Sequence, residues 1–520
     1  MKKPSINDAN LSRWSHGEVI RDIENAGKLK NLLNKTGCGF CLAKWTQVTM
    51  HLGIGTNHSC HHPKDHPIII DEIKNNPAAL HNTNYKKDIR KQMLQGSRPT
   101  ECDYCWRVED NTNELSDRAY KSLENWSIND HDEIVNMTGD EDFYPRYVEI
   151  SFSNACNFKC VYCGPNYSSR WHSEIEEHGV YKLPDDSIFN PIEHTQIREK
   201  DDNPYINAFW QWFPEAVKHM HTFRITGGEP LMNKSTMAVV DYLLENPHPN
   251  LEFSVNTNGN PPGKVFKKFT DKINIIIKNN HIKKFTLFIS AESIGSHAEF
   301  SRFGMNWLEF TNNIEYFLKN TENTRITFMS AFNILALPTF KNFLQYVLEL
   351  KFKYNRSAFF SWLDEAGLNT ENSGLHYNYK NTNLRDENAD RIGIDIPYIR
   401  HPKFLDANIL TIDMAEKYLI PAVDFMFRNR SCSDWDSVLG FSDWEVAKLK
   451  RICVDVLCML KDATNKDQTS KHLPVVRERA NFYKWSIQNE KRRNISISKS
   501  MPELKDFLSI CKKEYDKLYE

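Results

Sequence analysis

Eight of the chain's twelve cysteines fall before residue 164, and none lies between Cys163 and Cys432. A disulfide framework needs an oxidising compartment and would spread through the chain, so this clustering points to metal. The tightest cluster is Ser153-Asn-Ala-Cys156-Asn-Phe-Lys-Cys160-Val-Tyr-Cys163-Gly164. Thiolates are preferred ligands for iron–sulfur clusters, and three on one loop can take three corners of a cubane. One iron is then left open to bind a small molecule, which a cluster with four protein thiolates cannot do. The competing reading is zinc held by the same cysteines and a histidine such as His172.

A second group lies upstream. Cys41 is followed by thirteen residues, Gly55, four more residues and Cys60, and the pair Cys102 and Cys105 comes later, in Glu101-Cys102-Asp-Tyr-Cys105-Trp106. A glycine between two cysteines fits a hairpin whose tight turn returns the second to the metal. Cys41, Cys60, Cys102 and Cys105 can together close around one group, either an iron–sulfur cluster or zinc. Cys38 could replace Cys41, and His51, His58, His61 and His62 crowd the same loop, although loop histidines more commonly face solvent.

These residues need a scaffold. From Arg146 short apolar runs recur: RYVEISFS, TFRITGG, LEFSVNTNG, FTLFISAES and RITFMSAFNILAL, with SAFFSWL as the candidate sixth. Their β-branched and aromatic content fits buried parallel strands. Helical stretches are expected between them, at 168–178, 206–220, 234–244, 265–278, 306–318 and 339–350. The alternation predicts a parallel sheet with crossover helices, about six βα units forming a partial barrel. The cysteine loop leaves the first strand, and Gly227-Gly228-Glu229-Pro230 ends the second. Glycines let backbone approach a ligand closely, Glu229 offers a carboxylate to an ammonium, and Pro230 fixes the turn. Ser254–Asn258 and Ser290–Glu292 end the third and fourth strands with polar side chains.

The polar stretch 179–205 reads as a loop on the rim, and 368–391, rich in asparagine, as a linker. Beyond it, TIDMAEKYLIPAVDFMF, WEVAKLKRICVDVLCML and PELKDFLSICKKEYDKLY have helical spacing. Cys432, Cys453, Cys458 and Cys511 read there as small buried hydrophobes. Lysine plus arginine (66) nearly balances aspartate plus glutamate (68), so no global field selects nucleic acid or membrane. With no secretory signal pattern and no apolar run of membrane-spanning length, the expected location is the cytoplasm.

The C-x3-C-x2-C spacing with an aromatic before the third cysteine, followed by the Gly-Gly-Glu-Pro turn, resembles the radical S-adenosylmethionine superfamily. The resemblance implies an α/β fold with a partial (β/α)6 barrel. It implies that Cys156, Cys160 and Cys163 hold a [4Fe-4S] cluster whose open iron binds S-adenosylmethionine. It also places Tyr162 against the adenine and Gly227, Gly228 and Glu229 at the amino group. Asn256 and Ser290 would meet the ribose and carboxylate, and Asn333 the adenine. The upstream cysteines resemble a twitch domain, a shortened SPASM module with a second [4Fe-4S] cluster, here preceding the barrel. The implied organisation is an extension at 1–35, the twitch-like module at 36–126, the barrel at 140–365, a linker at 366–400 and a helical region at 401–520. The implied activity is reductive cleavage of the cofactor to a 5′-deoxyadenosyl radical and hydrogen abstraction, from a peptide slightly ahead of a small molecule such as a sugar or nucleotide. An electron donor such as flavodoxin or ferredoxin is implied as partner. The alternative is a non-catalytic iron–sulfur or zinc module on the same scaffold.

Overall fold

The computed structural model describes residues 3–9, 23–184, 187–188, 196–198, 201–355, 390–399, 401–430, 439–464 and 469–519. The chain divides into two units, one of residues 1–154, 194–255 and 280–284, the other of 155–193, 256–279 and 285–520. Both are mixed α/β with parallel-rich sheets.

In the first unit, β1 (Gln47–His51) and β2 (Thr56–His58) form an antiparallel hairpin. Its turn contains Gly55 at φ +72°, where an added Cβ would fall 2.1 Å from the ring of Tyr205. The glycine expected between Cys41 and Cys60 is therefore required twice, by backbone conformation and by close packing. β1 also pairs in parallel with β3 (Tyr147–Ser151), and β3 in parallel with β4 (Thr222–Thr226). The upstream cysteine segment thus shares a sheet with the strand that leads to Cys156. β4 continues in parallel register to β5 (His248–Thr257) through Thr222–Ile225. Alternation explains the strands: Val148 and Ile150, then Phe223 and Ile225, are buried, while Tyr147, Glu149, Arg224 and Thr226 face the other way.

Helix α1 (Ile23–Thr36) was expected to lie in an extension outside the cysteine module. Instead its Leu29, Leu32 and Leu33 join Phe40, Trp45, Met93, Leu123 and Phe143 in one core. That core disregards the boundaries drawn at residues 36 and 126, because the apolar face of a helix must be covered by whatever neighbour the chain offers.

In the second unit, β6 (Ile282–Ser290) pairs in parallel with β7 (Thr324–Met329), and β7 with β8 (Ile392–Asp395). β8 lies in the stretch expected to be linker, while SAFFSWL and most of that linker fall outside the described residues. The crossover helices follow the expected spacing. Val265–Lys278 buries Phe266, Phe269, Ile273, Ile276 and Ile277 at intervals of three and four. Asn306 caps Trp307–Asn320 by accepting from the Glu309 N–H. The long C-terminal helix Thr469–Arg493 ends against the cysteine loop, as described below. Cys453 and Cys511 are buried as expected, but Cys458 is exposed, and Cys432 lies outside the described residues. No helix among the described residues is long and apolar enough to cross a membrane.

Candidate functional site

Cys156, Cys160 and Cys163 lie on a loop of the second unit that is held from several sides. Lys159 and Cys160 pair antiparallel with Phe303 and Arg302, and the Val161 N–H donates to Ser301 O at 2.8 Å. The Trp171 indole donates to Cys160 O at 2.7 Å, and the Ser168 hydroxyl to Phe158 O at 2.7 Å. Ser168 also caps the following helix, Ser169–His178, so the loop is shaped by the start of its own next element. Asn157 donates to Asn260 O at 2.7 Å and accepts from Asn258 Nδ2 at 2.8 Å.

A buried ionic network supports the loop. Both carboxylate oxygens of Glu292 accept from the Tyr162 hydroxyl at 3.0 Å, and Arg302 donates to Glu292 through Nη2 at 2.7 Å and Nε at 3.1 Å. The Arg302 guanidinium lies over the Tyr162 ring, 5.4 Å from its centre, and Arg302 Nη1 reaches Cys160 Sγ at 3.9 Å. The Phe158 N–H points at Cys156 Sγ, 3.4 Å away. Burial pushes the Cys160 and Cys163 thiols up from their usual range, with Arg302 acting in the opposite sense. Three thiols on one loop, two of them facing N–H donors, form a donor set that fits an iron–sulfur cluster.

From behind, Arg493 donates to Lys159 O at 2.8 Å and pairs with buried Glu174 at 3.1 Å, and Lys159 also pairs with Glu174. The C-terminal region was expected as a separate helical layer, yet it supplies a strut to this loop. Glu292, Arg302 and Arg493 were not assigned roles from sequence. Only Glu292 carried a signal, as the last residue of the Ser290–Glu292 strand end.

The remaining expected contacts fall unevenly. Tyr162 is engaged by Glu292 and Arg302 rather than left as a free ring. Asn333 is fully buried, donates to Ala331 O and accepts from the Leu335 and Ala336 N–H groups, so its amide oxygen is engaged by its own turn. Ser290 and Asn256 end their strands, part-exposed. His172 lies 3.2 Å from Glu176 on its own helix.

Gly227, Gly228 and Glu229 belong to the first unit. Gly227 sits at φ +124°, and an added Cβ would meet Ser151 Oγ at 2.7 Å and Ser153 O at 2.8 Å. The Gly228 N–H donates to Ser153 O at 3.2 Å. Glu229 is buried, and its Oε1 accepts from the Leu231 N–H at 3.0 Å, capping the turn Pro230–Met232. Gly227→Ala is expected to cost roughly 1–3 kcal/mol of stability through forced φ and collision. Urea unfolding measures this, and an unchanged midpoint would show that the glycine is dispensable.

Also in the first unit, Cys41, Cys60, Cys102 and Cys105 line a single small cavity together with Lys44, Ser59, His62 and Asp117. Cys41 precedes β1, Cys60 follows β2, and Cys102 and Cys105 flank the start of helix Asp103–Asn111. The hairpin therefore returns Cys60 to Cys41. Burial pushes the thiols up, Cys60 to about 11 and Cys102 and Cys105 to about 12. They stay protonated near neutral pH unless a metal replaces the proton. Cys38 is exposed, donates to Gly96 O at 3.4 Å and is absent from the cavity wall. His62 is on the wall, stacked on Tyr104 and 2.7 Å from Asp117, while His58 turns its Nδ1 to Cys60 O. Among the described residues no group of three or more Cys, His, Asp or Glu side chains is gathered tightly enough to hold a metal ion.

Residues 150–339 match the family model of the Radical SAM superfamily. Over 125 residues the chain is 27% identical to GTP 3′,8-cyclase of Nautilia profundicola, a stretch that makes up 24% of this chain and 31% of that protein. The chain thus covers under a third of that curated relative's length. No solved structure matches.

Proposed function

We propose, from the radical SAM superfamily domain at residues 150–339, that the chain is an enzyme holding a [4Fe-4S] cluster at Cys156, Cys160 and Cys163. Membership of that superfamily implies the cluster and S-adenosylmethionine, which when bound supply a 5′-deoxyadenosyl radical able to abstract hydrogen from a substrate. The observation that carries the residue assignment is the held cysteine loop. It presents three thiols and directs Arg302 and the Phe158 N–H at two of the sulfurs. Glu292 fixes Arg302 and Tyr162 together, so the loop is ordered before any ligand arrives. Gly227 lets its turn pack directly against Ser151 and Ser153, and Glu229 stiffens that turn. The superfamily chemistry also requires a one-electron donor, for which a flavodoxin or ferredoxin is suited.

For the substrate, similarity to GTP 3′,8-cyclase favours a small molecule, with a peptide as the second reading. The test is anaerobic reconstitution with iron and sulfide, followed by dithionite and S-adenosylmethionine. No release of 5′-deoxyadenosine would rule out the enzyme reading in favour of a non-catalytic module. Stimulation by nucleotides but not by peptides would support the small-molecule reading, and the reverse the peptide one.

The upstream module fits a second [4Fe-4S] cluster on Cys41, Cys60, Cys102 and Cys105, in the manner of a twitch domain. A single zinc with bonds of about 2.3 Å needs its sulfurs closely gathered. Four thiols lining one cavity with no histidine required among them are a donor set suited to such a cluster, and iron content decides between it and zinc. Reconstituted protein is expected to contain about eight irons per chain, four per cubane. About four irons with one zinc would leave only the cluster at Cys156, Cys160 and Cys163.

A further inference from the structure

Behind the upstream cavity of the first unit lies a group of buried cations that no role so far explains. Lys44 stands on the cavity wall, 4% exposed and paired with Glu101, which also accepts from the Tyr85 hydroxyl at 2.7 Å. Deeper in, Lys86 Nζ lies 3.0 Å from His81 Nδ1, and Arg90 Nη2 lies 2.9 Å from His81 Nε2. Lys86, His81 and Arg90 are all at most 1% exposed. Arg90 spends its other donors on Asn82 Oδ1 and Lys44 O, so none of its hydrogen bonds reaches a carboxylate. Glu101 is the carboxylate that acts on Lys44 and Lys86, and Asp142 and Glu141 are those that act on Arg90.

Lys86 and Arg90 are buried without a carboxylate hydrogen-bonded to them, which is costly, and burial pulls Arg90 down to about 9 and Lys86 well below its usual range. The arrangement makes sense if an anion belongs beside them. Lys44 lines the same cavity as Cys41, Cys60, Cys102 and Cys105. Ser59 points to the same conclusion independently. Its side chain lines the cavity, 2% exposed, and its hydroxyl has no hydrogen-bond partner. A sulfur anion in the cavity would give that hydroxyl an acceptor.

We propose that Lys44 and Ser59, backed by Lys86 and Arg90, are positioning residues that raise the reduction potential of the metal–sulfur group that Cys41, Cys60, Cys102 and Cys105 would hold. This rests on the iron–sulfur reading of that site. Reduction adds one negative charge, and nearby cations and sulfur-directed donors stabilise the reduced form more than the oxidised one. The electron comes from a low-potential one-electron reductant, dithionite in the test, and no bond is made or broken.

The test is a redox titration followed by electron paramagnetic resonance. It uses the full chain carrying Cys156→Ala, Cys160→Ala and Cys163→Ala, so that only the upstream group is reconstituted. Adding Lys44→Met is expected to shift the oxidised-to-reduced ratio about tenfold toward oxidised at fixed potential, about 59 mV for a one-electron couple. Lys44→Arg restores the parent value, and Ser59→Ala shifts it less in the same direction. If Lys44→Met does not retain iron, Ser59→Ala and Lys86→Met carry the test. Variants that keep about four irons, as one cubane requires, and titrate with the parent overturn the proposal while leaving the iron–sulfur reading intact. Zinc without iron in the parent overturns that reading, and the proposal with it.

Discussion

Replacing Cys160 by alanine is expected to reduce release of 5′-deoxyadenosine to background, a loss of roughly three orders of magnitude. That exceeds the roughly 10–100-fold typical when an outer partner of a metal ligand is removed. The reason is ligand number. Two remaining thiolates on the loop cannot hold a cubane while leaving one iron open, and no further cysteine lies between Cys163 and Cys432 to substitute. Iron content should fall by about four atoms per chain as one cubane is lost. Release measured by chromatography within tenfold of the parent would remove Cys160 from the ligand set. Arg302→Lys, which alters the donor at Cys160 Sγ but leaves the thiol, should reduce release much less.

The second large effect concerns stability. Glu292 has a fully buried side chain and accepts from both Arg302 and Tyr162. Glu292→Ala would strand a buried guanidinium and a buried phenol together, and breaking such a pair costs about 3–5 kcal/mol. Urea unfolding of the metal-free protein should show this directly. Glu292→Gln, which keeps an acceptor for Tyr162, should lose less. The double variant Glu292→Leu/Arg302→Met should recover much of the loss, because apolar groups of similar size remove the unpaired charge rather than expose it. A loss below about 1 kcal/mol for Glu292→Ala would mean that water or another carboxylate reaches Arg302, as at exposed pairs.

The sheet was largely legible because its strands announce themselves by local pattern. Val148 with Ile150, and Phe223 with Ile225, alternate with polar neighbours, and Val265–Lys278 repeats its apolar residues at helical spacing. The hairpin between Cys41 and Cys60 was legible for a related reason, since Gly55 occupies a position that needs positive φ. What local pattern did not show was partnership. Nothing about Gln47–His51 says that it pairs with Tyr147–Ser151, and nothing about Ile392–Asp395 separates it from a linker until Thr324–Met329 is found beside it. Strand pairing at long separation leaves no period to read. Cys458 illustrates the same limit, because helical spacing identified a face but not whether anything covers it.

By itself, the sequence determined which residues could be metal ligands: cysteines are few, their spacing is local, and iron and zinc demand several of them close together. It also located the glycines whose backbone must do what other residues resist. Only the tertiary structure decided what surrounds those cysteines. Glu292 and Arg302 at one loop, Arg493 arriving from the far end of the chain, and Lys86 and Arg90 behind the upstream cavity are ordinary charged residues in sequence. They become consequential only once burial removes their water, because the energy of a charge is set by its neighbours and its dielectric surroundings, and both are products of the fold.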